Sequence, residues 1–271
     1  MQKLIETFIV DSFTNKPFKG NPAGVCLLKE DLSSKTMLAI AKELGLSETT
    51  FVTRLEGDQY AIRFFSPVME IPLSGHATLA ASKVLFEKKS NISNIHFKNI
   101  QNLDLLIEKD GLQIGMEFPV YDTFPQDAPN ELLQALGINK LKNSEYNKET
   151  NILLLEIESS ELLVNLTPNF ERLKHSHNSI NGVLVTAASK RKGFDFESRY
   201  FWPWSGTNED PVTGATHTFL TKYWSTRLQK QKMNSYQCSQ RSGFMQVELI
   251  NDKKLIIKSE AQIVFKGELL I

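Results

Sequence analysis

Two stretches of the sequence align without a gap: Glu70-Ile-Pro-Leu-Ser-Gly-His-Ala77 and Glu209-Asp-Pro-Val-Thr-Gly-Ala-Thr216. They share a glutamate, a proline, a hydroxyl residue and a glycine at the same four positions. Upstream, Arg63-Phe-Phe-Ser-Pro67 lies over Arg199-Tyr-Phe-Trp-Pro203, with a three-residue insertion in the second copy before the glutamate. Matches of this kind at corresponding places in a chain indicate an internal repeat. The sequence therefore predicts two copies of one α/β unit.

The elements predicted around these stretches recur in the same order. β-Branched and aromatic runs predict strands, and capping residues with apolar spacing predict helices. The first copy is predicted to contain strands 4–10, 24–28, 49–53 and 60–65, a helix from Ser33 or Ser34 to the Gly45 C-cap, a helix over 76–88, and a hairpin of 103–107 and 112–118. The second is predicted to contain strands 152–157, 162–166, 183–186 and 194–202, a short helix opened by Pro168, a helix after Gly214, and a strand pair around 251–252.

The polar segment 120–150 is predicted to link the two copies. It contains two prolines and a run of Asn, Lys and Glu, which are typical of connecting segments. We expect an N-terminal lobe of residues 1–118, completed by a C-terminal strand at 260–271. Residues 119–259 would form the C-terminal lobe.

The composition argues against several classes of protein. Basic and acidic residues number 31 each, so the basic excess of a nucleic-acid-binding protein is missing. Cys26 and Cys238 are too few for a disulfide framework or a cysteine zinc site. The sequence has no signal-peptide pattern, no apolar run of roughly 20 residues, and no phosphate-binding GxGxxG or GxxxxGK motif. We therefore expect a cytoplasmic protein with reduced thiols and with no nucleic-acid or membrane partner.

Each glycine turn is predicted to lead from a strand into a helix. A helix N-terminus has free backbone N–H groups and a partial positive charge, which favour a bound carboxylate. Glycine lets the backbone approach a ligand closely. Gly75 and Gly214 could instead be tight-turn residues with Ser74 and Thr213 as N-caps. Because the pair is duplicated beside acidic and imidazole groups, we interpret it as a site.

Three side chains near the turns are candidates for moving or holding a proton. Glu48 stands at the entrance to an apolar strand, where burial is expected to raise its pKa toward the range of a general acid/base. His76 could hydrogen-bond or protonate a substrate atom. Asp210 could hold a substrate amine or hydroxyl, or orient His76. The structural alternatives are a solvated glutamate, a histidine tied to local backbone, and a carboxylate at a helix N-terminus.

At these residues the sequence resembles the PhzF-like family of phenazine-biosynthesis proteins, which belongs with diaminopimelate epimerase and proline racemase. The matching pieces, in the order found in that family, are Val10-Asp-Ser-Phe-Thr14, Gly20-Asn-Pro-Ala-Gly24, Leu46-Ser-Glu-Thr-Thr-Phe51, Pro72-Leu-Ser-Gly-His-Ala-Thr78 and Asp210-Pro-Val-Thr-Gly214. Each piece alone is weak, but the combination is specific and covers most of the chain.

The resemblance implies two pseudo-symmetric α/β lobes, each a curved mixed sheet around a central helix, with the site in the cleft. It implies a homodimer that needs no cofactor. We also expect no metal site and a role in a biosynthetic process. In the family, the glutamate matching Glu48 moves a proton between substrate carbons, while the positions matching Gly75, His76, Asp210 and Gly214 line the pocket. The two catalytic cysteines of the epimerases are replaced here by Ser74 and Thr213. A single-base proton shift is therefore expected rather than two-base racemisation.

One departure concerns the residue after the second glycine. Many family members have serine there, and this chain has Ala215, so we expect a hydrogen bond to substrate to be missing and the substrate to differ from that of the phenazine enzyme. Arg241, in Ser239-Gln-Arg-Ser-Gly243, could contact substrate or lie on the surface.

The leading hypothesis is a cofactor-independent isomerase. Its small carboxylated substrate would bind the N–H groups near Gly75, His76, Gly214 and Ala215, with Ser74 and Thr213 also lining the pocket and Glu48 transferring the proton. The alternatives are a carboxylate-binding protein without catalysis, which the loss of a serine at Ala215 mildly favours, and an amino-acid racemase or epimerase.

Overall fold

The computed structural model describes residues 3–56 and 58–271. The chain divides into two compact units, Met1–Glu117 with Lys258–Ile271, and Phe118–Ile257. In each unit a curved mixed sheet surrounds a central helix. The described residues contain no helix that is both long and apolar enough to cross a membrane.

The first copy of the repeat contains eight strands and two helices among the described residues. The strands are β1 Leu4–Ser12, β2 Asn21–Leu28, β3 Glu48–Arg54, β4 Gln59–Phe65, β5 Glu70–Ile71, β6 Asn94–Lys98, β7 Asp104–Asp110 and β8 Gln113–Pro119. The helices are α1 Ser34–Leu44 and α2 Gly75–Lys88. Ser33 caps α1, and Gly45 ends it in the left-handed conformation at φ 64°, as the sequence predicts.

The remaining elements belong to the second copy and the C-terminal strand. The strands are β9 Phe124–Pro125, β10 Asn143–Asn147, β11 Ile152–Glu156, β12 Gly182–Ala188, β13 Phe196–Trp202, β14 Thr207–Asp210, β15 Lys232–Gln237, β16 Gly243–Asn251, β17 Lys254–Ser259 and β18 Ala261–Leu270. The helices are α3 Asn130–Leu136, α4 Ser160–Val164, α5 Phe170–His175 and α6 His217–Leu228, with a 3-10 turn at Pro203–Ser205.

Strand pairing follows the same pattern in both copies. In the first, β1–β2 is antiparallel, β2–β3 parallel, β3–β4 and β4–β5 antiparallel, β4–β6 parallel and β6–β7 antiparallel. In the second, β10–β11, β11–β12, β12–β13, β13–β14, β13–β15 and β15–β16 repeat these directions one for one. The internal repeat is therefore a repeat of topology as well as of sequence.

The helices α2 and α6 occupy the same place in this pattern. Nine residues of α2 are buried, and the helix packs against β1, β2, β3 and β18. Seven residues of α6 are buried, including Trp224, whose ring stacks on Phe196 with 5.6 Å between centroids. Because both helices are buried around most of their circumference, each is the core of its own unit.

The strand β18 completes the sheet of the first unit. It runs antiparallel to β1 from Leu4↔Leu270 to Ser12↔Ala261, with a register shift between Ile9 and Val10. The first unit is thus built from both ends of the chain, whereas the second is continuous.

Three details of the sequence prediction are wrong. Residues 162–166 are not a strand, because Ser159 caps α4 and only Leu163 of its three apolar residues is buried. Pro168 does not open α5, whose N-cap is Asn169. The segment 120–150 is not only a linker, because it contains β9, α3 and β10. Although its composition is polar, Leu132 and Leu136 are fully buried in the core of the second unit.

Candidate active site

The first glycine turn forms the N-terminus of α2. Ser74 is the N-cap, and its Oγ accepts a hydrogen bond of 3.4 Å from the backbone N of Ala77. Its carbonyl accepts two hydrogen bonds from Thr78, at 3.0 Å from the backbone N and 2.7 Å from Oγ1. The carbonyl and hydroxyl of Ser74 are therefore both fixed by the first turn of the helix.

Glu48, Ser74 and His76 come together at this turn. Glu48 is the first residue of β3, and its Oε2 lies 2.7 Å from Nε2 of His76. Ser74 Oγ donates to the same Oε2 at 3.3 Å and lies 3.4 Å from Nδ1 of His76. The Glu48 and His76 side chains are only 15% and 11% exposed. In the described part of the chain, Oε1 of Glu48 has no hydrogen-bond partner.

The pKa of Glu48 lies below its usual value, opposite to the prediction from sequence. Burial does raise it, as expected, but the charge of His76 and hydrogen bonds from His76 and Ser74 lower it by more. The sequence prediction considered burial alone. The carboxylate is consequently held in its ionised form, which accepts protons.

Two further serines position His76, and sequence analysis did not single them out. Ser12, at the end of β1, donates to the backbone carbonyl of His76 at 2.7 Å. Ser47 Oγ lies 3.3 Å from Nε2 of the imidazole. Ser12 and Ser47 both lie within stretches that resemble the PhzF-like family, so their positions were the available signal.

The second glycine turn is built differently. Thr213 Oγ1 donates to Oδ2 of Asp210, and the backbone N of Thr213 donates to Oε1 of Gln237 at 2.9 Å. Gln237 Nε2 in turn donates to the Asp210 carbonyl at 2.8 Å. The helix α6 begins only at His217, after a tight turn in which the N of His217 donates to the Gly214 carbonyl at 3.0 Å. Asp210 and Thr213 are thus joined directly and also through Gln237, which the sequence did not reveal.

His217 is a buried residue of this second turn that sequence analysis missed. Its side chain is completely buried, with Nδ1 3.1 Å from the Thr213 carbonyl and Nε2 2.9 Å from Ser235 Oγ. A carbonyl only accepts, so Nδ1 carries the hydrogen. Burial lowers the pKa of His217 to about 4, and the imidazole is neutral at physiological pH.

The glycines of the two turns are not explained by backbone conformation. The glycines with positive φ in the described chain are Gly20, Gly45, Gly111, Gly137, Gly193 and Gly206. Gly75 and Gly214 are therefore free of the left-handed conformation that favours glycine. Within the described residues, the backbone N–H groups of Gly75, Gly214 and Ala215 make no hydrogen bond. These N–H groups are therefore available as hydrogen-bond donors.

The remaining candidates lie at varied depths. Ala215 is exposed and Arg241 is half-buried. Cys26 and Cys238 are both free thiols, and burial raises their pKa to about 11 and about 12. Both therefore stay protonated at neutral pH, unlike the reactive thiolates of cysteine enzymes.

An arginine–glutamate pair supports each turn with the same atoms. Arg63 donates from Nε to Oε1 and from Nη2 to Oε2 of Glu70, both at 2.8 Å. Arg199 makes the same two bonds to Glu209, both also at 2.8 Å. Each guanidinium also lies over the aromatic ring two residues on, at 5.3 Å from Phe65 and 4.9 Å from Phe201. The aligned sequence positions are therefore equivalent in three dimensions.

A repeated mixed sheet around a buried helix, entered through a glycine turn, defines an epimerase-like α/β protein. The chain belongs to the phenazine biosynthesis-like protein family: the family model (PhzC-PhzF) matches residues 10–267. Phenazine biosynthesis-like domain-containing protein 1 of Mus musculus is 39% identical over 97% of this chain and 98% of its own length. An uncharacterised isomerase of Pseudomonas aeruginosa is 38% identical, with 97% of each chain covered.

Solved structures agree with this assignment. A PhzF family protein from Enterococcus faecalis has a TM-score of 0.92 and 35% identity, covering 99% of this chain and 100% of that one. A hydroxyproline epimerase from Agrobacterium vitis has a TM-score of 0.60 at 6% identity, covering 99% of this chain and 93% of that one. The second likeness shows a shared fold. The fold class expected from the sequence is confirmed.

Proposed function

We propose that this protein is a cofactor-independent isomerase that moves a proton between two carbons of a small carboxylated substrate. Membership of the family, and relatives named as isomerases, support an isomerase-type enzyme. The observation that carries the finer proposal is the state of Glu48, whose Oε2 is held by His76 at 2.7 Å and by Ser74 at 3.3 Å. We assign the proton transfer to Oε1.

The proposed reaction has two steps. Glu48 Oε1 takes a proton from one substrate carbon, and the electron pair left behind delocalises toward the adjacent double bond or carboxylate. The same oxygen then returns the proton to a second carbon, so the double bond moves and nothing is oxidised or reduced. His76 and Ser74 fix the carboxylate, and fixed geometry supplies much of the rate enhancement in reactions of this type.

The substrate carboxylate would bind the N–H groups at the two glycine turns. Gly75 begins a 14-residue helix, and its N–H makes no bond to any described residue. The same holds for Gly214 and Ala215 before α6. We place Asp210 and Thr213 beside the substrate as well, since their mutual hydrogen bond fixes both side chains.

The test is isotope exchange in heavy water with a panel of small cyclic and amino-acid-like carboxylates. We expect the wild-type protein to introduce deuterium at carbon and Glu48→Gln to slow this by about 10²- to 10⁴-fold, the usual contribution of a general acid/base. Glu43→Gln, on the exposed face of α1, is the matched control and should keep full activity. Unchanged exchange in Glu48→Gln would refute the mechanism.

The pH profile tests the role of His76. Because the pKa of Glu48 is lowered from 4.5, the acid limb of kcat/KM should lie below pH 4.5. In His76→Asn the burial of Glu48 is no longer opposed by the imidazole charge, so the limb should move to higher pH. A purely structural role for His76 would lower the rate at every pH and leave the limb in place.

Two alternatives give different outcomes in the same assay. A carboxylate-binding protein without catalysis would bind members of the panel by calorimetry and exchange no deuterium. A racemase or epimerase would exchange deuterium at one carbon and invert it without moving a double bond.

A further inference from the structure

The strands β3 and β12 occupy equivalent places in the two copies. Each runs parallel to the strand before it and antiparallel to the strand that carries the arginine. Phe51 is paired with Arg63, and Val185 is paired with Arg199. Three residues back along each strand lie Glu48 and Gly182. The position of the proposed acid/base is therefore a glycine in the second copy.

The ring of Tyr200 occupies the space that a side chain at Gly182 would need. A Cβ built on Gly182 would lie 2.6 Å from the Tyr200 hydroxyl oxygen and 2.6 Å from its Cε2. Both distances are far shorter than any real contact of a Cβ atom. The matching residue of the first copy is Phe64, which has no hydroxyl. The second copy has thus exchanged a carboxylate on one strand for a phenol on the next.

The Tyr200 hydroxyl has a polar setting but no partner. The residue is 4% exposed, and no hydrogen bond from its hydroxyl exists among the described residues. Its strand neighbour in register is Asp210, and the buried indole Nε1 of Trp202, two residues on, is also without a partner. The Trp202 nitrogen is completely buried, whereas the Tyr200 hydroxyl keeps a small accessible area. Because it donates to no described residue, this hydroxyl is available to an oxygen of a ligand.

We infer that Tyr200 is a specificity-determining residue whose hydroxyl donates a hydrogen bond to a second substrate oxygen, a hydroxyl or carbonyl distinct from the carboxylate. The inference rests on the proposed function, because it assumes that a carboxylated substrate lies beside Asp210 and Thr213. Burial, and secondarily the charge of Asp210, raises the pKa of Tyr200. The phenol therefore stays protonated and acts as a donor rather than as a base.

The experiment measures the dissociation constants of benzoate and 3-hydroxybenzoate by calorimetry. The affinity for benzoate measures binding of the carboxylate alone. The ratio of the two dissociation constants measures the contribution of the second oxygen. We expect the wild-type protein to prefer 3-hydroxybenzoate by about 3- to 10-fold, as for one net hydrogen bond. In Tyr200→Phe this preference should vanish while the affinity for benzoate is unchanged.

Tyr60→Phe is the matched control. Tyr60 is 3% exposed on β4 of the first copy, and its hydroxyl is fully buried without a partner. Removing it should leave the preference intact, which separates a ligand contact from the general effect of deleting a buried hydroxyl. A preference that survives in Tyr200→Phe overturns the inference and leaves the proposed function standing. A wild-type protein that binds neither acid overturns the carboxylate grip and, with it, this inference.

Discussion

The two copies of the repeat differ less in their scaffold than in the groups they present. Both use the same bidentate arginine–glutamate pair at 2.8 Å and the same order of parallel and antiparallel strands. The histidines, by contrast, do not align: His76 is the second residue of α2, and His217 is the first residue of α6, two aligned positions further on. Glu48 has no equivalent carboxylate in the second copy. The duplicated unit has thus kept its supporting contacts while its reactive side chains have diverged.

The largest expected effect is the loss of stability on replacing Arg199, which should exceed the loss on replacing Arg63. Arg199 is more buried than Arg63 and also donates to the carbonyls of Leu163 and Leu166, at 3.3 and 2.7 Å. Arg199→Met should lower the free energy of unfolding by about 3–5 kcal/mol, because it leaves a half-buried glutamate and several carbonyls without their charged partner. Arg63→Met, whose additional partner is Ser34, should cost about 1–3 kcal/mol. Urea denaturation measures both, and equal losses would contradict the ranking.

The buried His217 should make the stability of the second turn depend on pH. Burial depresses the folded-state pKa of His217 to about 4 from a usual 6.5. Between these values the unfolded chain binds a proton that the folded protein does not, so stability is complete above pH 6.5 and falls as the pH drops toward 4. The loss should be about 3 kcal/mol at about 1.4 kcal/mol per pH unit.

The matched pair for this prediction is His217→Gln and His175→Gln. His175 is 75% exposed, so its replacement should leave the slope of stability against pH unchanged. His217→Gln should flatten the slope between pH 6.5 and 4. The aligned residue of the first copy is Thr78, whose side chain does not ionise in this pH range. An unchanged slope in His217→Gln would show that the imidazole does not set it.

The smallest effect concerns the hydrogen bond that Thr78 makes where the second copy uses His217. Thr78→Val removes the 2.7 Å bond from Oγ1 to the Ser74 carbonyl with little change of shape. The expected loss is about 1 kcal/mol, because the carbonyl keeps its bond from the backbone N of Thr78. Thr226→Val removes a bond of the same i to i−4 kind on an exposed face of α6 and should cost less than about 0.5 kcal/mol. Thermal unfolding compares the two.

The sequence predicted the repeat, the central helices and the glycine turns because these depend on local patterns and identical letters. It aligned Arg63 with Arg199 but did not predict their ion pairs, since pairing needs the strand register. It gave the wrong pKa direction for Glu48 because the opposing charge of His76 is 28 residues away in the chain. The roles of Gly182 and Gln237 could not be predicted either, because they depend on contacts between residues far apart in the chain. Gly182 makes room for the ring of Tyr200, and Gln237 lies on β15, distant in sequence from Asp210 and Thr213.

The pairing of β18 with β1 has a consequence for synthesis of the protein. The ribosome releases Leu4 early, but its strand partner Leu270 emerges only after the whole second unit has been made. Domains fold as units while the chain grows, and non-local pairings form late. The second unit, continuous from Phe118 to Ile257, can therefore fold before the first one has its last strand. The half that carries Glu48 is begun first and finished last.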